Sequence, residues 1–412
     1  MTTQKTPVQG LPTQSGFDNL GIDPEFLKIL DQNNFVTPTP IQHQAIKPGM
    51  EGKDIVGIAQ TGTGKTLAFG LPLLQRLRKS NGIGLVILPT RELAIQVDDM
   101  LHKIGRSLGL ATAVLIGGEP MRMQLMALRR RPNIIIATPG RLVDHLEQGN
   151  LKLDLVRIVV LDEADRMLDI GFEPQIRKIL SLVPSEHQTM LFSATMPPEI
   201  TKIAATYMAS PVRVEVAPSG TTVELVEQEI FLVKKEERLS LLTKILDEYP
   251  GTVLMFMRTR HGARKICMAI RDMGHKVAEI HSDRSLGQRK EALTGFKSGR
   301  YRILVATDIA ARGIDVQGIT LVLNFELPDN TQDYVHRIGR TGRAGETGKA
   351  ISFAMPDQQR DVRDIERLIR KEIPITSHGG QSFFTSKPVM RSFGRNRHLY
   401  KSPSRWRRSS SR

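Results

Sequence analysis

The stretch Asp54-Ile55-Val56-Gly57-Ile58-Ala59-Gln60-Thr61-Gly62-Thr63-Gly64-Lys65-Thr66 joins a short apolar run to a glycine-rich loop. A helix-like segment, Leu67 to Leu77, follows it. Strand, loop and helix in that order let backbone N–H groups wrap an anionic phosphate chain. Gly62 and Gly64 allow close backbone approach, and Lys65 offers a point charge to the β- and γ-phosphates. The Thr66 hydroxyl can ligate Mg²⁺. Ala59 replaces the glycine that opens the strictest form of such a loop, and it fits if its φ is negative. With Gln60, Thr61 and Thr63, these residues form an expected nucleotide cradle. The loop specifies a nucleotide but not its use.

A chain of 412 residues exceeds what one hydrophobic core usually serves, so two domains are expected at roughly 100–200 residues each. The net charge of +15 favours a polyanionic partner, nucleic acid or an acidic membrane surface. Cys267 is the single cysteine, which excludes an intramolecular disulfide and fits a reducing cytoplasm. No apolar run reaches the ~18–20 residues of a membrane span, and Met1 to Gly16 lacks the apolar stretch of a signal peptide.

From Phe17 to about Val216, short β-branched runs alternate with longer amphipathic segments. Strands are expected at Asp54–Ile58, Leu85–Leu88, Ile134–Ala137, Ile158–Leu161 and Met190–Phe192, with helices such as Glu92–Leu108 and Glu173–Leu182 between them. These strands are mostly apolar rather than alternating, as in a parallel sheet buried on both faces. Residues 1–16 read as a flexible lead-in and 217–224 as a linker rich in small and turn-forming residues. A second series follows at Val253–Phe256, Val277–Ile280, Ile303–Ala306, Leu321–Phe325 and Ala350–Phe353, without a Gly-Lys-Thr loop. The fold class is therefore α/β, two tandem domains (17–216 and 225–375) with mostly parallel sheets flanked by helices. From Ser377 to Arg412 there are nine basic residues and no acidic one, interleaved with Phe383, Phe384, Phe393, Tyr400 and Trp406. This 376–412 tail reads as disordered, and its arginines and aromatic faces suit phosphates and bases.

A phosphate loop needs a carboxylate at the end of a nearby parallel strand to hold its metal ion. Ile158–Leu161 runs straight into Asp162-Glu163-Ala164-Asp165. Asp162 suits Mg²⁺, and Glu163 can orient or deprotonate an attacking water.

With Asp-Glu-Ala-Asp in place, residues 17–373 resemble the DEAD-box ATP-dependent RNA helicases of superfamily 2, whose two domains are RecA-like. The resemblance gives Phe35-Val36-Thr37-Pro38-Thr39-Pro40-Ile41-Gln42 the family's adenine-reading role. Phe35 would pack on the base, with Phe17 as the isolated upstream aromatic; Thr37 would assist and the Gln42 amide would pair with adenine. Asn34 stands where the family often has glycine. Pro89-Thr90-Arg91, Gly117-Gly118 and Thr138-Pro139-Gly140-Arg141 look like the first domain's RNA-strand elements. Loops and helix starts of that kind grip phosphates without reading bases. Ser193-Ala194-Thr195 resembles the element coupling hydrolysis to strand separation, with Asp165 and His336 as its companions.

In the second half, Ala306 to Asp315 matches the family closely, so Thr307 would face an RNA phosphate while Gly313 and Asp315 would contact the nucleotide. His336-Arg337-Ile338-Gly339-Arg340-Thr341-Gly342-Arg343 matches the arginine-finger motif. Arg340 and Arg343, three apart, are expected on one side of a helical turn, where guanidiniums stabilise a transferring phosphoryl group. Two departures stand out: Val253–Thr259 is a loose match, and Leu286 occupies a position where the family often has glutamine, although Arg289 is retained. Within the family, the short first domain and basic tail look most like the bacterial RhlE-type group.

The resemblance implies ATP and Mg²⁺ as cofactors and an RNA-stimulated ATPase that closes its domains and opens short RNA duplexes. RNA would be held through its backbone with little sequence preference. Proteins of ribosome assembly or RNA decay are compatible partners, and no membrane is called for. The rival reading is an ATP-gated RNA clamp or remodelling scaffold with little unwinding, which would carry the same motifs. A DNA helicase fits the motif spelling less well, and a small-molecule kinase leaves the second half unexplained.

Overall fold

The computed structural model describes residues 16–60, 62–216, 226–311, 316, 318–342 and 347–377. Thr61, Gly313, Asp315 and Arg343, the linker and nearly all of both terminal segments lie outside the described residues.

Two seven-stranded sheets organise the chain, and every strand pair in them is parallel. The first contains β1 (Ile55–Ile58), β2 (Ile83–Ile87), β3 (Thr112–Leu115), β4 (Ile134–Ala137), β5 (Val156–Leu161), β6 (Gln188–Ser193) and β7 (Val212–Glu215). Its order is β3-β4-β2-β5-β6-β1-β7. The second contains β8 (Val226–Leu232), β9 (Val253–Met257), β10 (Val277–Ile280), β11 (Ile303–Thr307), β12 (Leu321–Asn324), β13 (Gly348–Ala354) and β14 (Ile375–Ser377). Its order is β10-β11-β9-β12-β13-β8-β14. These are the two α/β domains that the alternating pattern implied.

Both faces of each sheet are covered, which is why inner strands such as Ile134–Ala137 and Val253–Met257 are apolar at every position. In β4, Ile134 and Ile136 join one apolar cluster of the first domain while Ile135 and Ala137 join the cluster on the opposite face. Helices such as Lys65–Arg78 and Arg91–Gly105 supply one layer, and Glu173–Ser181 belongs to the other.

Sequence reading did not name four strands: β3, β7, β8 and β14. Three are sheet edges and β8 is next to an edge. β8 alternates, burying Val226, Gln228, Ile230 and Leu232 while Glu227 is exposed, so it lacks the continuous apolar run of an inner strand. The last strand begins at Ile375, where the alternation was expected to fade.

Candidate functional site

Sheet order divides the carboxyl ends of the first domain's strands into two groups. β5, β6 and β1 are consecutive, so the loops after them (162–165, 194–195 and 59–64) are neighbours. β3, β4 and β2 are likewise consecutive, which gathers Gly117-Gly118, Thr138–Arg141 and Pro89–Arg91. Ligand sites of open parallel sheets form at such carboxyl ends.

In the phosphate loop, Gly62 and Gly64 have φ of 88° and 91°. Gly64 caps the helix Lys65–Arg78, and a Cβ there would lie 2.3 Å from Gln42 Nε2. That position therefore excludes side chains on two grounds, backbone conformation and space. Ala59 is absent from the positive-φ residues, as its side chain requires, and its N–H donates to Ser193 O at 3.0 Å. Thr63 Oγ1 donates to Gln60 O at 2.7 Å, tightening the turn. Thr66 is half-buried in the first turn of the helix.

Lys65 is 6% exposed, and its Nζ has no hydrogen-bond partner. Asp162 Oδ1 faces it at 3.8 Å. Burial pushes the Asp162 carboxyl up to about 6; Lys65 opposes that rise, while the Glu163 and Asp165 carboxylates add to it. Glu163 is buried and sits at φ 51°, a left-handed conformation uncommon for a side chain of its size. A buried ammonium without a hydrogen-bond partner, facing a carboxylate beside N–H groups at a helix start, fits a nucleotide's phosphates and a divalent cation.

Asp165 is tied to the loop after β6. Its N–H donates to Ser193 Oγ at 3.1 Å, and its Oδ2 accepts from Thr195 N and Thr195 Oγ1, both at 2.9 Å. Burial works against the charge on Asp165, but Lys65 and the Thr195 bonds more than offset it and hold its pKa below the ordinary value. Ser193 therefore touches both the phosphate-loop entrance and the helix that starts at Ala164.

The adenine-reading element shows one unexpected arrangement. Gln42 is buried; its Oε1 accepts from Thr39 N at 2.9 Å and its Nε2 donates to Gly64 O at 3.0 Å. The amide expected to face a base thus also fastens this element to the phosphate loop. Phe35 is half-buried, with Lys103 Nζ 5.9 Å from its ring centroid, and Thr37 is exposed. Phe17 is packed in the core. Asn34 adopts φ 59°, which explains why glycine suits this position and why asparagine is tolerated there.

The three expected strand-gripping elements touch one another. Thr90 Oγ1 accepts from Leu93 N at 3.3 Å and caps the helix Arg91–Gly105. The Arg91 guanidinium lies against the next loop, so a Cβ on Gly118 would fall 2.4 Å from Arg91 Nη1. Gly118, at φ 81°, leaves room for it. Arg141 Nη2 donates to Glu119 O at 3.3 Å, and Thr138 N donates to Leu115 O at 3.0 Å. Pro139 starts the next helix and Gly140 has open space about it. Beneath them, Gln124 Nε2 donates to Ile116 O and Glu119 O, and Gln124 Oε1 accepts from His145 Nε2 at 3.0 Å. Neither Gln124 nor His145 was singled out from sequence, since each reads as one polar residue on an amphipathic helix.

From the second domain, the helix Thr331–Ile338 approaches the Asp165 region. Arg166 Nη1 donates to Asp333 Oδ1 at 2.6 Å, an ion pair between domains. Burial lowers the His336 pKa to about 3, and Arg166 and Arg340 act in the same direction against Asp165 and Asp333. Arg337 is fully buried, donating to both Asp308 oxygens and to Asn324 Oδ1 and Glu326 O, so it anchors its own domain. The helix ends at Ile338, so Arg340 lies beyond it rather than on the expected helical turn, while Arg343 lies outside the described residues. Gly339 and Arg340 continue in a tighter turn, with Arg340 N donating to Arg337 O at 3.1 Å. Arg340 is buried beside Arg166, Asp333 and His336. Thr307 ends β11, half-buried.

A second interdomain contact lies at the departure noted in the sequence. Arg289 Nη2 donates to Glu92 Oε2 at 2.8 Å, and Leu286 is gathered into the first domain's apolar cluster.

Comparison with known proteins agrees with this geometry. The DEAD/DEAH box helicase family matches residues 39–203, and the helicase conserved C-terminal domain matches 236–345. The chain is 42% identical over 360 residues to the DEAD-box ATP-dependent RNA helicase CshA of Geobacillus kaustophilus, covering 87% of this chain and 77% of the relative. The RhlE-type subgroup gains no support, because the matching relatives are of the CshA type. Among solved structures, Saccharomyces cerevisiae Dbp5 bound to RNA and ADP BeF3 superposes with a TM-score of 0.80 at 28% identity, covering 89% of this chain and 96% of that one. A DEAD box protein from Methanococcus jannaschii is 37% identical, covering 88% and 99%, yet superposes with a TM-score of 0.51. Over its whole length, then, this chain matches the RNA- and nucleotide-analogue-bound Dbp5 better than the more similar sequence. The chain belongs to the DEAD-box ATP-dependent RNA helicases.

Proposed function

We propose that ATP is hydrolysed between the two domains and that RNA lies across the carboxyl ends of β2, β4 and β3, continuing to Thr307. The buried Lys65 ammonium, with no hydrogen-bond partner, carries this reading. Phe35, Thr37 and Gln42 bind the adenine end, and residues 59–66 bind the phosphates, with Gly313 and Asp315 contributing from the second domain. Thr66 and Asp162 hold Mg²⁺, partly through water, and the ion neutralises phosphate charge when bound.

Glu163 orients the water that attacks the γ-phosphorus. The bond from that phosphorus to the β–γ bridging oxygen breaks, and ADP leaves with the bond's electron pair. Lys65, Arg340 and Arg343 stabilise the charge spread over the equatorial oxygens, typically worth ~10³–10⁵ in rate for such an arginine. Asp165, Ser193, Thr195 and His336 transmit closure, since Asp165 bonds on one side and neighbours the second domain on the other. Pro89, Thr90, Arg91, Gly118, Thr138, Pro139, Gly140, Arg141 and Thr307 hold the RNA backbone without reading bases.

Domain limits of 17–216 and 225–375 with a linker at 217–224 follow from the same reading. The basic tail adds affinity for RNA, and a reducing cytoplasm suits the lone, buried Cys267. Replacing Arg343 by alanine tests the arrangement. ATP affinity is expected to survive while RNA-stimulated turnover is lost; unchanged turnover would remove the finger assignment. RNA should stimulate turnover more than DNA of the same sequence.

A further inference from the structure

The helix Met121–Arg129 buries only one residue, Gln124. Its outer surface and C-terminal end carry Arg122, Arg129, Arg130 and Arg131, all exposed. Glu119 is the only acidic residue between Gly117 and Ile134. Among the described residues, none of these four arginines has an ion-pair partner, whereas Arg78, Arg177, Arg213 and Arg300 are each paired with a carboxylate. Met123 and Met126 are also exposed, at 59% and 44%. Arg122, Met126 and Arg129 fall on one side of the helix, opposite Gln124, by the 3.6-residue period.

Arg131 adopts φ 52° just past the helix end. That left-handed position is usually filled by glycine, and an arginine there is strained. Three consecutive like charges and a strained backbone do not favour folding. They are accounted for if the surface meets phosphates.

Topology says which phosphates. The strand-gripping elements follow β2, β4 and β3, and β3 is the sheet edge. RNA crossing from β2 over β4 leaves the domain at β3, and the helix that follows β3 is Met121–Arg129. Arg141 ties the two surfaces together, with Nη1 3.8 Å from Met121 Sδ and Nη2 on Glu119 O.

We propose that Arg122, Arg129, Arg130 and Arg131 form a second RNA-binding site, for the duplex that continues beyond the gripped single strand. The arginines pair with its phosphates, and Met123 and Met126 lie under its sugar edge. The site keeps the duplex beside the elements that grip its strand. This rests on the strand path proposed above.

The full chain with all four arginines replaced by glutamine is compared with the parent on two RNAs, a short uridine oligomer and the same oligomer joined to a hairpin. Affinity for the hairpin RNA is expected to fall on the order of tenfold, and the slope of log K against log[salt] by about 2–4. Affinity for the short oligomer, and its stimulation of ATP hydrolysis, should not change. Equal losses on both RNAs, or an unaltered salt slope with the hairpin, overturns the proposal; the latter result would leave the surface to an acidic protein partner. Arg131→Gly should raise the melting temperature by about 1–2 °C while weakening hairpin binding. Hairpin binding as tight as the parent's in that variant overturns the role of Arg131. The strand path is tested separately by Arg141→Ala with the short oligomer. Unchanged stimulation there would discard the path, while a hairpin-specific loss in the four-arginine variant would still stand.

Discussion

Arg289 Nη2 lies 2.8 Å from Glu92 Oε2, and this buried ion pair joins the two domains across 197 residues of sequence. Burial pushes the Glu92 carboxyl up and the Arg289 guanidinium down, and their mutual attraction opposes both shifts. Removing one partner of a buried pair typically costs about 3–5 kcal/mol because the other is left uncompensated. When the domains part, Glu92 regains water, so the cost falls on closure alone. Arg289→Ala is expected to lower RNA-stimulated turnover on the order of 10²-fold with ATP affinity unchanged. The Glu92→Ala, Arg289→Ala double variant should be less impaired than Arg289→Ala; additive losses would show that the pair does not act as a unit.

Glu163 combines a proposed chemical role with a strained backbone. Glu163→Gln should retain ATP and RNA together while hydrolysis stops. Glu163→Gly should also stop hydrolysis, yet unfold no more easily than the parent, since glycine accepts φ 51° without the ~1 kcal/mol steric penalty that a side chain carries there. Thermal unfolding paired with single-turnover hydrolysis checks both, and parental turnover in either variant excludes the carboxylate.

The closed form keeps His336 neutral down to about pH 3, whereas an imidazole released to solvent by domain opening returns to about 6.5. Below pH 6.5 the open form takes up a proton that the closed form refuses, so acidification opposes closure. RNA-stimulated turnover is expected to decline as pH drops from about 7 to 5.5, and His336→Gln should flatten that part of the profile. An identical acid limb in the variant would assign the titration to another group.

Gln124 and His145 tie the loop after β3 to the helix Pro139–Glu147, and the Gln124 bonds fix His145 with its proton on Nε2. Gln124→Leu leaves a buried imidazole N–H and two carbonyls unpaired, at about 1–3 kcal/mol per lost partner. Affinity for single-stranded RNA should fall roughly tenfold or more while ATP affinity holds. Equal losses of both would mark the network as a general support of the fold.

Much of this was legible because it is local in sequence. A strand such as Ile134–Ala137 betrays itself by burial on both faces, and Gly62, Gly64, Lys65 and Thr66 lie together within a single turn of chain. The edge strands β3, β7 and β14 were missed because they carry polar residues among the apolar ones, so β7 (Val-Arg-Val-Glu) reads like a loop, whereas the fully buried edge strand β10 was read. Partnerships across the fold were also hidden. Arg166 and Asp333 are 167 residues apart, and nothing in either neighbourhood names the other. Gln42 could be assigned to a base from its motif, but its bond to Gly64 depends on how the helix Pro40–Met50 packs on the next one.

Leu286 adds a temperature dependence to this helicase. It stands where its family often has a polar glutamine, and it enters the apolar cluster of the opposite domain. Burying that side chain on closure makes a negative contribution to the heat-capacity change, and the attraction it supplies weakens on cooling. Leu286 is therefore expected to add to any loosening of closure in the cold, and a leucine-to-glutamine exchange is expected to make closure less sensitive to temperature.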